Sequence, residues 1–255
     1  MKIAFIGLNL FTYGGIQRVV CTLCNELCIE NEITVLMPPS QYNENIFGLD
    51  NRVKTENLYD LVPADLQLDT LVRKIVLKVN RKTGCMDSAK FSNILSKCLM
   101  DKASEKRLEN YININRFDLV IGLEELYSFY LGRVSSRITA KTIGWMHDTY
   151  NSYFRLKGKH SFGMEHAILQ ELKKLDALIA LTDYDNKIFN NKTEIPVYTL
   201  YNPVPFKERI QSKPHEGKNL LFVGRIVNSH KGLDHLLKIV KIVSNMRDDV
   251  TLTIV

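Results

Sequence analysis

Apolar and polar positions alternate along this chain between two rhythms. Short apolar runs rich in β-branched residues fall at Lys2–Ile6, Glu32–Met37, Leu119–Gly122, Thr142–Trp145, Ala177–Leu181 and Val197–Tyr201. Between several of them lie helical stripes. In the first, Ile16, Val19, Val20, Leu23, Cys24 and Leu27 recur at i, i+3, i+4, i+7, i+8 and i+11, the spacing of one apolar helix face. Strand and helix in this order predict an α/β fold with an open parallel sheet, whose ligands sit at the carboxyl ends of the strands. The same rhythm returns after residue 218, with a strand at Leu220–Val223, a helix over about Leu233–Asn245 and a strand at Thr251–Val255.

The segment Asn202–Lys218 holds Pro203, Pro205 and Pro214 among many charges, and it reads as a linker. The expected organisation is a first domain over 1–205, a linker over 206–218 and the incomplete opening of a second domain over 219–255. A long stretch between Met37 and Leu119 is expected to contribute two helices, with a basic helical insert over about 66–116. That insert carries eleven Lys/Arg against five Asp/Glu, a net charge of +6, and the whole chain is also +6. The positive charge therefore belongs to one element. Its first helix, about 68–82, sets Leu68, Leu71, Val72, Ile75, Val76 and Val79 on one face beside Arg73, Lys74, Lys78, Arg81 and Lys82. Such a helix suits either an anionic membrane surface or packing on its own domain with solvated cations outside. A nucleic-acid role fits less well, because no stacking aromatics interleave the basic residues.

Composition narrows the classes further. With 45% hydrophobic and 24% charged residues the chain is of ordinary globular type, and no apolar run reaches the ~20 residues of a membrane span. The apolar start is too short for a signal peptide. Five cysteines, odd in number and mostly on expected helices, point to a reducing cytoplasm. Cys21, Cys24 and Cys28 share one helix face with no further ligand pair nearby, and core packing is expected for them over a metal site.

Three stretches offer chemistry. Gly14-Gly15 precede the first helix; glycine there allows positive φ and close approach of a ligand to the free N–H groups of the helix start. The loop lacks the G-x-G-x-x-G spacing and the acidic end of strand two that a dinucleotide site needs. Trp145-Met146-His147-Asp148 follows a strand, placing His147 where sites of such sheets lie. Gly224-Arg225 with His230-Lys231-Gly232 flanks a helix start with cations that suit a diphosphate. Glu124 and Glu125 also follow a strand and are read as loop acids open to an acceptor.

Together, five stretches resemble the family-4 retaining glycosyltransferases of the GT-B fold: Gly14-Gly15 through Arg18, Trp145 through Asp148, Asp176 through Thr182, Tyr201-Asn202-Pro203-Val204, and Phe222 through Asp234. The resemblance implies two Rossmann-like domains with the substrates between them. It implies sugar transfer from a nucleoside-diphosphate sugar, with retention, to a glycan or lipid-linked acceptor, as in bacterial capsule, exopolysaccharide or lipopolysaccharide synthesis. By the same resemblance Gly14 and Gly15 let the backbone meet the donor diphosphate or a charged acceptor, and His147 contacts the transferring sugar or the acceptor near the anomeric centre. Arg225 and Lys231 neutralise the diphosphate, so that His147, Arg225 and Lys231 serve catalysis. Arg18, Glu124 and Asp148 face the acceptor. Neither a metal nor a cofactor beyond the donor is implied, and a cytoplasmic enzyme, peripheral at the membrane, is expected. The family's later donor-site segments are not in these 255 residues, so this polypeptide alone is expected to turn over weakly. A non-catalytic partner or degenerate paralogue is the alternative, and a nucleotide-sugar epimerase of the same fold a third.

Overall fold

The computed structural model describes residues 1–39, 44–62, 68–204, 218–224, 226 and 231–255. It divides into two compact units, 1–205 and 206–255. Of the expected linker over 206–218, only Lys218 lies within the described residues.

The first unit is built on a seven-stranded parallel sheet. Its strands are β1 (Lys2–Ile6), β2 (Glu32–Met37), β3 (Lys54–Asn57), β4 (Leu119–Leu123), β5 (Lys141–Trp145), β6 (Ala177–Ala180) and β7 (Val197–Thr199), in the order β3-β2-β1-β4-β5-β6-β7. The order reverses direction between β1 and β4, so the crevice between their carboxyl ends is the switch point where open α/β sheets hold ligands. Period-two alternation sends Ile3 and Phe5 of β1 to one apolar cluster and Ala4 and Ile6 to the other, as a strand covered on both faces requires. On the first face lies α1 (Gly15–Leu27), which buries Val19, Val20, Cys21 and Cys24. Cys28 is buried with them. All three cysteines of the helix are thus core side chains, and burial pushes the Cys21 thiol up to about 11.

The opposite face is covered by α2 (Leu68–Thr83), α3 (Ala89–Leu99), α4 (Lys102–Asn115), α5 (Glu124–Val134), α6 (Tyr150–Phe154), α7 (Glu165–Leu172) and α8 (Asp183–Thr193). Among the described residues the stretch between β2 and β4 therefore holds a strand, a 3-10 turn and three α-helices, against the two helices expected. The strand, β3, reads Lys-Thr-Glu-Asn and is exposed at every position. As an edge strand it is held by main-chain bonding to β2 and needs no apolar pattern. The apolar face of α2 expected from the sequence is divided in the structure. Val76 packs against the core, whereas Leu71, Val72, Ile75 and Val79 are exposed.

Two glycines set the position of α5. Gly122 and Gly144 are register partners in β4 and β5. A Cβ on Gly122 would stand 2.6 Å from Ser128 Cα, and one on Gly144 would stand 2.9 Å from Ser128 Oγ. The bare backbone lets Ser128 sit on the sheet and donate to the Gly122 carbonyl at 2.8 Å. Helix α5 consequently begins at Glu124, directly after Leu123, and Glu124 takes a left-handed φ of 59°, an uncommon conformation for a residue with a side chain. On its far side Arg133 pairs with Glu105, and with Glu171 at 3.1 Å.

In the second unit β8 (Asn219–Phe222) and β9 (Thr251–Ile254) pair in parallel, and α9 (Leu233–Ser244) lies between them in sequence.

Candidate functional site

Three neighbouring strand ends carry the candidate residues. At the end of β1 the chain passes through a loop held by Asn9, whose Nδ2 donates to the Pro38 carbonyl at 2.7 Å and whose Oδ1 accepts from Phe11 N at 2.8 Å. The loop delivers the start of α1, whose N-cap residue, Gly14, has no side chain to cap it, so among the described residues its first N–H groups are those a bound anion would meet. The expectation that Gly14 and Gly15 supply positive φ is not met. Gly14 is extended at φ 178° and Gly15 is the first residue of the helix. The two differ in their surroundings: a Cβ on exposed Gly15 would meet no described atom within 4 Å, so the approach there is open, whereas at Gly14 that place is taken by Oε1 of the Gln17 side chain. Arg18, one turn on, is exposed and sets its guanidinium 5.5 Å from the Phe47 ring centroid.

At the end of β4 stand two carboxyl groups with different surroundings. Glu125 is buried and accepts from Ser161 Oγ at 2.9 Å. Burial raises its pKa, and the Ser161 bond opposes the rise. Glu124 is partly buried, and its carboxyl group has no hydrogen-bond partner among the described residues. Burial first, then the charges of Glu125 and Asp148, push it up to about 7. These are not the solvated loop acids expected, because α5 starts at Glu124 and draws both into the domain.

At the end of β5, His147 is 9% exposed, and both of its ring nitrogens are buried without a partner among the described residues. The imidazole lies against Trp145, ring centroids 4.4 Å apart, and Trp145 Nε1 is likewise buried and unpartnered. Burial lowers the His147 pKa to about 4, so the ring is neutral at physiological pH and can both donate and accept. Its backbone is fixed by Tyr153, whose Oη accepts from His147 N at 2.9 Å and from Asp148 N at 2.8 Å. Asp148 in turn accepts from Ser152 Oγ at 2.7 Å.

The structure thus brings Gly14, Gly15, Arg18, Glu124, His147 and Asp148 to the carboxyl ends of three adjacent strands, β1, β4 and β5. Lys231 belongs to the second unit, where it is exposed just before α9; Arg225 and His230 lie outside the described residues. Tyr153 and Ser161 were not anticipated. The sequence around Tyr153, Tyr-Asn-Ser-Tyr-Phe, signals only an aromatic helix turn, and the tertiary fold alone aims its hydroxyl at the His147 loop.

An arrangement of this kind can bind an anion at the open end of α1, direct a neutral imidazole at a polar group and accept a proton at Glu124 near neutral pH.

No protein-family model and no curated protein sequence matches this chain. Solved structures do resemble it. The lipopolysaccharide outer core galactosyltransferase WaaB, in its apo form, superposes with a TM-score of 0.54 at 15% identity, covering 89% of this chain and 54% of that one. S. aureus TarM gives 0.63 at 13% identity, with 99% of this chain and 71% of that chain covered. Anabaena HepE, solved with UDP, gives 0.55 at 8% identity over all of this chain and 69% of its own. The chain therefore spans about half the length of the galactosyltransferase and some two-thirds of the others. These likenesses establish the fold: a parallel α/β architecture of the GT-B type, with a Rossmann-like first unit.

Proposed function

We propose that this chain is part of a retaining glycosyltransferase of the family-4 type, with the first unit on the acceptor side and the second on the nucleotide-sugar side. The observation that carries the reading is the set of three buried ring nitrogens of Trp145 and His147, without partners among the described residues, beside the strand end that holds Glu124. Buried polar atoms of this kind normally find a partner, and a sugar ring offers several hydroxyl groups. In the proposed reaction the bond from the anomeric carbon to the diphosphate oxygen breaks and the acceptor oxygen bonds to that carbon on the same face, which retains its configuration. The acceptor hydroxyl gives its proton to the Glu124 carboxylate, and the diphosphate leaves with the bonding pair.

Within that scheme His147 contacts the transferring sugar near the anomeric centre. Arg18, Glu124 and Asp148 face the acceptor, and Glu124 is poised to take its proton. Gly14 and Gly15 bring the backbone of the α1 N-terminus to an anionic group, with the open space at Gly15, and Arg225 and Lys231 neutralise the departing diphosphate. The UDP bound in HepE and in a TarM complex makes uridine diphosphate sugars the first donors to test. The outer-core role of WaaB favours a cell-surface glycan or lipid-linked acceptor, met at the cytoplasmic side of the membrane.

The test is UDP release from UDP-glucose, UDP-galactose and UDP-N-acetylglucosamine with such acceptors, in parent and His147→Ala protein. The anomeric configuration of the product is read by NMR. A loss of about 100-fold in rate is expected for the variant, with retained configuration. Equal rates in parent and variant would overturn the role of the site, and an inverted product would overturn retention.

A further inference from the structure

Helix α2 faces its own domain with one stripe and presents a second, unlike it, to the outside. The inward stripe is Arg73, Val76, Leu77 and Asn80, spaced i, i+3, i+4 and i+7. Val76 and Leu77 pack against the main core. Asn80 is fully buried, donating from Nδ2 to the Gly163 carbonyl at 2.5 Å and accepting at Oδ1 from Met86 N at 2.8 Å. Arg73 is tied to Asp101 at 3.0 Å. The helix is therefore anchored without help from Leu71, Val72, Ile75 and Val79.

Those residues point away. Leu71, Val72, Ile75 and Val79 are 57%, 63%, 54% and 50% exposed, and at 100° per residue they fall within one arc of the helix. Lys74, Lys78 and Arg81 form a row along the flank of that arc, and Lys82 lies within it. All four cations are exposed, and none forms an ion pair among the described residues. Residues 71–83 contain no acidic side chain. An ordinary surface helix would turn such aliphatics inward.

We infer that α2 is a docking element for an anionic membrane surface. Its Leu71–Val72–Ile75–Val79 stripe enters the boundary between headgroups and acyl chains, and Lys74, Lys78, Arg81 and Lys82 meet anionic headgroups. The argument for lipid as the occupant is the complementarity of both features at once. A parallel row of cations and branched aliphatics matches a surface that is negative in one layer and apolar just beneath it. No described helix is long and apolar enough to cross the bilayer, so α2 would lie in its plane. This inference does not depend on the transferase reading, since binding is measured without turnover.

The test is co-sedimentation of the full chain with sucrose-loaded vesicles, of phosphatidylcholine alone or with roughly one-third phosphatidylglycerol. Binding to the anionic vesicles only, weakening as salt rises, is expected. Lys74→Gln with Lys78→Gln should lower the partition coefficient roughly 30-fold. Ile75→Ser with Val79→Ser, which leaves the charge unchanged, should lower it by at least roughly 10-fold. Both pairs are exposed, and unchanged circular dichroism spectra would show that the fold is kept. Loss in the lysine variant with none in the serine variant would reduce the contact to surface adsorption and overturn insertion. A parent that ignores the vesicles overturns the proposal; if it also forms a dimer that the serine variant abolishes, the face belongs to a second copy of the chain.

Discussion

The two units repeat the same grammar with opposite results. In the first, β1, α1 and β2 form a parallel strand–helix–strand element in which four of the five β1 residues are buried. In the second, β8 and β9 pair with comparable regularity around α9 in sequence, yet Leu233 is the one buried hydrophobic residue among those described there. Leu221, Val223, Leu237, Ile239 and Ile242 are all at least half exposed. The local sequences are equally apolar, so the difference lies in what surrounds them. β1 has a strand on each side and helices on both faces, whereas among the described residues β8 and β9 pair with each other. Periodicity tells which side an element would bury, and neighbouring layers decide whether it is buried.

The sharpest way to break this comparison is native-state hydrogen exchange. Amides of β8 and β9 should open at about 0–2 kcal/mol, and those of β1, β4 and β5 at about 5 kcal/mol or more. Equal protection across the two sheets would refute the contrast. Matched truncations come next. Leu172→Ala removes a fully buried side chain of α7 and should cost about 2–5 kcal/mol in denaturant unfolding, while Leu221→Ala, at an exposed position, should cost no more than about 0.5 kcal/mol.

The third effect concerns pH, and it sets one strand end against its neighbour. Glu124 is raised to about 7 in the folded protein. Its contribution is therefore fully present below its ordinary pKa and lost as pH rises toward 7. His147 is lowered to about 4, so its contribution is present above its ordinary pKa and lost as pH falls toward 4. Between those limits the two slopes oppose each other. Glu124→Gln removes one of them. At pH about 8 the variant should be more stable than the parent by on the order of 3 kcal/mol, and the gap should close by pH about 4. A gap that stays constant with pH would show that Glu124 titrates normally.

Much of the sheet was legible. β1, β2, β4, β5 and β6 are continuous apolar runs because both faces are covered, and the cysteines of α1 read as core because they share the stripe of Val20 and Cys24. β3 was not legible, since an exposed edge strand of Lys54–Asn57 needs no hydrophobic signal. The outward turn of α2 was hidden for another reason. A single helix shows an apolar arc but not which neighbour it meets, and Asn80, the residue that fixes the inward side, is polar. At the site, His147 and the glycines of the first loop could be singled out by position alone. The state of Glu124 could not, because its burial follows from where α5 is pressed against the sheet.

That pressing has a consequence for how the site could be tuned. The seat of Glu124 is set by two hydrogen atoms, the side chains of Gly122 and Gly144, standing where a methyl group would collide with Ser128. Carbon added at Gly122 would meet the backbone of Ser128 and Tyr127 and push the helix, with its carboxyl group, from underneath, whereas carbon at Gly144 would meet the Leu178 side chain first and the Ser128 hydroxyl next. The acidity of a surface-facing group is thus governed from the floor of the sheet, by residues that no ligand would ever touch.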